Sequence, residues 1–87
     1  MFALIQRLID TETRLAVPAT RLTARANLFE LGLTAFDAVR LLIAVEKAFK
    51  VEFPRETLKR QTVASIEAIA QAVRAARTVQ FGARFAA

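Results

Sequence analysis

The chain has 87 residues, of which 55% are hydrophobic, with no Cys, no His and a formal net charge of +5. That is one small domain with a single modest core, burying about 65% of its unfolded surface. Disulfides, thiolate metal sites and His-based acid–base chemistry are excluded, and no apolar run approaches the length of a membrane span.

Residues 2 to about 15 read as the first helix, with Ala3, Leu4, Leu8 and Leu15 near one face and Ile5 and Ile9 widening it. Ala16, Val17 and Pro18 stop it. This opening stretch, MFALIQRLIDTETR, is too short and too quickly charged for a secretory signal, which points to the cytoplasm. A loop from Pro18 to Thr34 follows, long for a small domain. Leu22 and the pair Leu28–Phe29 are its expected anchors, and Gly32 frees the backbone to aim the next helix.

The second helix spans Ala35 to about Lys50, a run without Gly or Pro. Thr34 is its expected N-cap, with Asp37 favoured by the positive end of the helix dipole. Ala38, Leu41, Leu42, Val45, Ala48 and Phe49 make the inward stripe, while Phe36, Arg40, Ile43, Lys47 and Lys50 face outward with Val39 at the edge. Val51, Glu52 and Phe53 alternate as an extended link. Pro54 then opens a short helix, Arg55 to about Arg60, with Leu58 pointing inward. Thr62 caps the last main helix, Val63 to about Arg77, whose stripe is Val63, Ile66, Ile69, Ala70 and Val73 and whose C-terminal end carries Arg74 and Arg77.

Residues 78–87 form a tail without a clear period. Phe81 and Phe85 could dock on the bundle, but Gly82 and the terminal position favour fraying. The fold expected is all-α, a small up-down bundle of three main helices plus one short helix, with residues 1–77 as the domain. Its core is expected around Leu8, Leu31, Leu42, Val45, Phe49, Phe53, Ile66, Ile69 and Val73.

The string NLFELGLTAFDAVRLLIAVEKAFKVEFP resembles the acyl carrier proteins and the peptidyl carrier domains of assembly-line synthases. Those typically read [Leu/Phe]-Phe-Glu/Asp-Leu-Gly-x-Asp-Ser-Leu, then an amphipathic helix ending in Glu-x-x-Phe, an apolar residue and a Pro. The counterparts here run from Leu28, Phe29, Glu30, Leu31, Gly32 and Leu33 to Glu46, Phe49, Phe53 and Pro54. The resemblance spans roughly residues 3 to 75. It implies an acyl-carrier-protein-like fold and a 4'-phosphopantetheine arm that tethers an acyl or aminoacyl group. By the same resemblance the partners are a phosphopantetheinyl transferase and an acyl- or aminoacyl-activating ligase or transferase, and the chain is a monomer. GLTAF through VEFP is also similar to stand-alone carriers charged by truncated aminoacyl-tRNA-synthetase-like ligases.

Two positions depart from the pattern. The family's Asp is Thr34, and the family's attachment Ser is Ala35. A methyl group has no oxygen to form a phosphodiester, so the arm is not attachable at Ala35, within an attachment loop of Gly32, Leu33, Thr34 and Phe36. A Ser→Ala exchange, or drift of a carrier into a binding module, would each give this string. By position, the partner-binding residues are Phe36, Val39, Arg40, Ile43 and Lys47. Family members commonly place acids near Arg40 and Lys47, so basic residues here imply a dedicated partner with an acidic or neutral patch.

Intrinsic catalysis is not expected. There is no Gly-rich phosphate loop, and Asp10 and Glu12 face different ways on a helix. The scattered carboxylates suit no metal. The thirteen Lys and Arg lie in ones and twos, with Lys59–Arg60 the only adjacent pair and no stacking Trp or Tyr, so nucleic acid is not an expected partner. The alternative reading is a degenerate, carrier-like adaptor that acts only through protein–protein contacts.

Overall fold

The computed structural model describes residues 1–86, with side chains described for 1–18 and 20–77. Helix α1 (Phe2–Glu12) stops short of the expected residue 15 because Thr13 turns extended, at φ −127° and ψ 164°. The Thr13 hydroxyl donates to the Ile9 carbonyl at 2.6 Å. A continuing helix would aim the Arg14 N–H at the carbonyl four residues back; it donates to the Asp37 carboxylate at 3.2 Å instead. The buried face of α1 also differs from expectation. Ile5 and Ile9 are fully buried, Leu4 and Leu8 are half-buried and Ala3 is exposed. Because α1 packs against both other helices, its innermost line is the one the sequence placed at the margin.

The long connection is pinned rather than free. One short 3₁₀ turn covers Ala19–Arg21. Leu22 and Leu28 are buried as expected, and Phe29 packs half-buried against the core. Leu33 is buried as well. Backbone bonds tie the loop across the molecule: Leu28 N–H to Ala64 carbonyl at 2.8 Å, and Glu67 N–H to Ala24 carbonyl at 2.9 Å. The loop's backbone groups thus find the partners that burial demands.

Helix α2 (Ala35–Phe49) buries Ala38, Leu41, Leu42 and Val45, with Phe49 half-buried; Ala48 is exposed, at the edge of the stripe. It closes on Lys50 in the left-handed region, φ 56° and ψ 47°. The Glu46 carboxylate then accepts the Phe53 N–H at 2.8 Å, which fixes the extended link with Val51 and Phe53 buried.

The expected short helix over 55–60 is not one element. Two 3₁₀ turns replace it, Arg55–Thr57 and Arg60–Val63, separated by an extended Lys59 at φ −139°. The first turn is too short to bury a face, and Leu58 is 50% exposed rather than inward. Thr62 is buried and its hydroxyl donates to the Thr57 carbonyl, so it holds the two turns together and does not cap a helix. Helix α3 (Ile66–Ala86) begins three residues later than expected, where the Ser65 hydroxyl accepts the Ala68 N–H at 3.1 Å. Val63 still reaches the core, from the turn.

Ile66, Ile69 and Val73 are fully buried and Ala76 nearly so. The backbone of α3 runs through the stretch expected to fray, which places Arg74 and Arg77 in mid-helix. The Arg77 guanidinium lies 5.4 Å from the Phe49 ring centre. Docking of Phe81 and Phe85 falls outside the described side chains. Among the described residues there is no strand, and the result is an all-α bundle of three helices. Leu8 and Leu31, two of the expected core residues, sit half-buried at its edge.

Candidate attachment and docking site

The site is built at the start of α2. Gly32 holds φ +111°, which a side chain would strain, and its N–H donates to the Phe29 carbonyl at 3.2 Å. Leu33 returns to the core through a bond from its N–H to the Leu28 carbonyl at 3.0 Å. Ahead of it, the Asn27 side-chain oxygen accepts the N–H groups of Phe29 and Glu30 at 3.0 and 3.2 Å, closing the turn. This path delivers Thr34 in the extended conformation that an N-cap requires.

The Thr34 hydroxyl accepts the Asp37 N–H at 3.1 Å, so the expected cap is present. Asp37 itself is not a solvated dipole partner. It is 6% exposed, and its carboxylate reaches across 23 residues of sequence to the Arg14 N–H. One side chain thereby ties the end of α1 to the beginning of α2. Ala35 is the first residue of α2 and is exposed, with Phe36 beside it 72% exposed. The two hydroxyls nearest in character, Thr34 and Ser65, both accept backbone N–H bonds at helix starts.

The five residues assigned to partner binding share the outward side of α2. Phe36, Val39 and Ile43 are exposed apolar side chains at i, i+3 and i+7. Arg40 stands among them but lies 3.7 Å from the Glu12 carboxylate, and Lys47 is exposed one turn on. Both acids of α2 are turned away from this face: Asp37 to the Arg14 N–H, Glu46 to the Phe53 N–H.

A feature without a clear sequence signal lies next to Ala35. An apolar groove of about 210 Å³ runs between α2 and the 58–63 segment. Its base is Ala38, Leu42 and Val63, its walls include Val39 and Leu58, and Lys59 and Arg60 stand at its rim. The Arg60 guanidinium sits 4.0 Å from the ring centre of Phe29, a cation–π contact. Periodicity could not reveal this because one turn of chain has no period to read; the adjacent cations were its only trace.

A match to the family described as "Phosphopantetheine attachment site" spans residues 4–73. The chain belongs to that family. It is 35% identical over 74 residues to the aminoacyl carrier protein of Agrobacterium fabrum, covering 85% of this chain and 89% of the relative. Among solved structures it resembles a carrier protein from Agrobacterium tumefaciens complexed with an engineered Bradyrhizobium japonicum glycine:[carrier protein] ligase and AMP. That match has a TM-score of 0.83 at 35% identity, over 85% of this chain and 99% of the other. A solution structure from Agrobacterium tumefaciens superposes with a TM-score of 0.70 at 32% identity, over the whole of both chains.

The chain is therefore a carrier protein and not an enzyme, and its likeness extends to the aminoacyl carriers. Among the described residues no helix is long and apolar enough to cross a membrane. No group of three or more His, Cys, Asp or Glu is placed to hold a metal among them.

Proposed function

We propose that this carrier presents the start of α2 to enzymes of aminoacyl or acyl transfer, in a form that does not accept 4'-phosphopantetheine. The observation that carries this reading is the placement of Ala35. It is exposed at the first residue of α2, behind a loop braced on both sides, where a family member would offer a hydroxyl. Its methyl group supplies no oxygen for a phosphodiester. The hydroxyls of Thr34 and Ser65 are occupied as helix caps, so neither is a ready substitute. The residues of this chain do not fit covalent attachment of the arm.

The partners in this reading are an acyl- or aminoacyl-activating ligase or transferase and, for a chain with Ser restored, a phosphopantetheinyl transferase. A complex of a similar carrier with a glycine:[carrier protein] ligase supports a ligase as the first partner to test. Phe36, Val39, Arg40, Ile43 and Lys47 are the contact residues proposed for it. The chain acts as a cytoplasmic monomer in this scheme. No observation favours the adaptor reading over the carrier reading.

Mass spectrometry after incubation with a broad phosphopantetheinyl transferase and coenzyme A tests the proposal. No mass gain is expected for the chain as it stands, and one phosphopantetheine is expected on the Ala35→Ser variant. Modification of the unaltered chain would show that Thr34 or Ser65 accepts the arm. An unmodified Ala35→Ser variant would overturn the attachment assignment.

A further inference from the structure

The groove beside Ala35 has a definite size, lining and charge. Its volume of about 210 Å³ leaves room for a large side chain, since a single water needs only ~10–15 Å³ of such space. Its lining carries two cations, Lys59 and Arg60, and no acid. Neither cation has a carboxylate within salt-bridge distance among the described residues. Arg60 is steadied by the Phe29 ring, a contact that positions the guanidinium without neutralising it. Glu30 shares a neighbouring hollow with Arg60 but forms no ion pair with it. Val39 is common to the groove wall and to the exposed stripe with Phe36 and Ile43, so the two surfaces are continuous.

We propose that this groove seats one large apolar or aromatic side chain from an acidic segment of a partner protein, with Lys59 and Arg60 meeting the carboxylates that flank it. The inference rests on the reading that α2 is the face shown to partners, and it extends that face to Phe29, Leu58, Lys59 and Arg60. The physical case is complementarity. A basic partner would meet two uncompensated cations. A neutral one would leave them unpaired at the rim of a desolvated contact. With both acids of α2 drawn onto backbone amides, no carboxylate on that helix competes with the partner's. A lipid surface is broad and flat, whereas the site here is a recess between α2 and the 58–63 segment.

The test uses the full chain labelled with nitrogen-15 and two peptides, acetyl-Glu-Glu-Trp-Leu-Glu-Glu-amide and its counterpart with Lys in place of every Glu. The acidic peptide is expected to shift the amides of Phe29, Val39, Leu58 and Arg60 saturably, and the Lys peptide to bind about tenfold more weakly. Because the chain has no Trp or Tyr, fluorescence of the peptide Trp gives an independent affinity. In the double variant Lys59→Glu with Arg60→Glu, the order of the two peptides is expected to invert, with amide dispersion confirming that the variant is folded. The proposal is overturned if the order is the same in both proteins, if the shifts map away from the groove, or if neither peptide gives a saturable change. It is equally overturned if anionic phosphatidylglycerol vesicles, and not the acidic peptide, perturb these amides. None of these measurements involves Ala35, so this inference and the attachment reading fail on different evidence.

Discussion

The two walls of the groove are built on opposite terms. On one side, residues 27–37 are braced at nearly every step: the Asn27 turn, Leu28 bound to Ala64, Gly32 in its special conformation, the Thr34 hydroxyl accepting the Asp37 N–H at the helix start. On the other side, residues 54–61 are almost wholly exposed, with two 3₁₀ turns joined through an extended Lys59. The first wall spends Asn27, Leu28, Thr34 and Asp37 on holding its own shape. The second leaves Leu58 and Lys59 uncommitted and holds Arg60 only against the Phe29 ring, which is what a surface kept for another molecule needs.

That contrast can be broken by substitution. The largest effect is expected from Leu28→Ala, since Leu28 is fully buried and anchors the braced wall. A loss of about 3 kcal/mol follows from cavity formation, which for a chain of this size lowers Tm by roughly 15 °C in a circular-dichroism melt. Asp37→Ala should come next. It removes a charged acceptor from the Arg14 N–H and an acid from the first turn of α2, together on the order of 2 kcal/mol. Urea unfolding should show Asp37→Asn recovering part of that loss, because an amide oxygen can still accept the bond. Least costly is Leu58→Ala, where a half-exposed side chain should change stability by under about 0.5 kcal/mol. A Leu58→Ala loss as large as that of Leu28→Ala would show that the second wall is structural core rather than reserved surface.

How much of this was legible in the sequence follows from the distance over which each interaction acts. Thr34 and Asp37 are three residues apart, so the cap could be read directly. The bond from the Arg14 N–H to Asp37 spans 23 residues and has no local pattern, which is why the sequence showed Asp37 only as a helix-dipole partner and α1 looked longer than it is. The inward stripe of α2 was clear because fifteen residues give four turns of period. Leu58 was misplaced because its element is a single turn. At the start of α3, Val63 extends the apolar stripe backwards and so pointed to Thr62 as the cap, whereas the hydroxyl that accepts a first-turn N–H is that of Ser65. A carboxylate just inside the helix, Glu67, was the available hint for Ser65, since acids gather in the first turn. The groove arises only when the 58–63 segment folds back over α2, so it is a property of tertiary contact alone.

The bond from the Leu28 amide to the Ala64 carbonyl has a mechanical consequence. Together with the Glu67–Ala24 bond, it staples the loop before α2 to the doorstep of α3 at two points. An enzyme that tugged on residues 32–35 would therefore be pulling on the start of α3 as well.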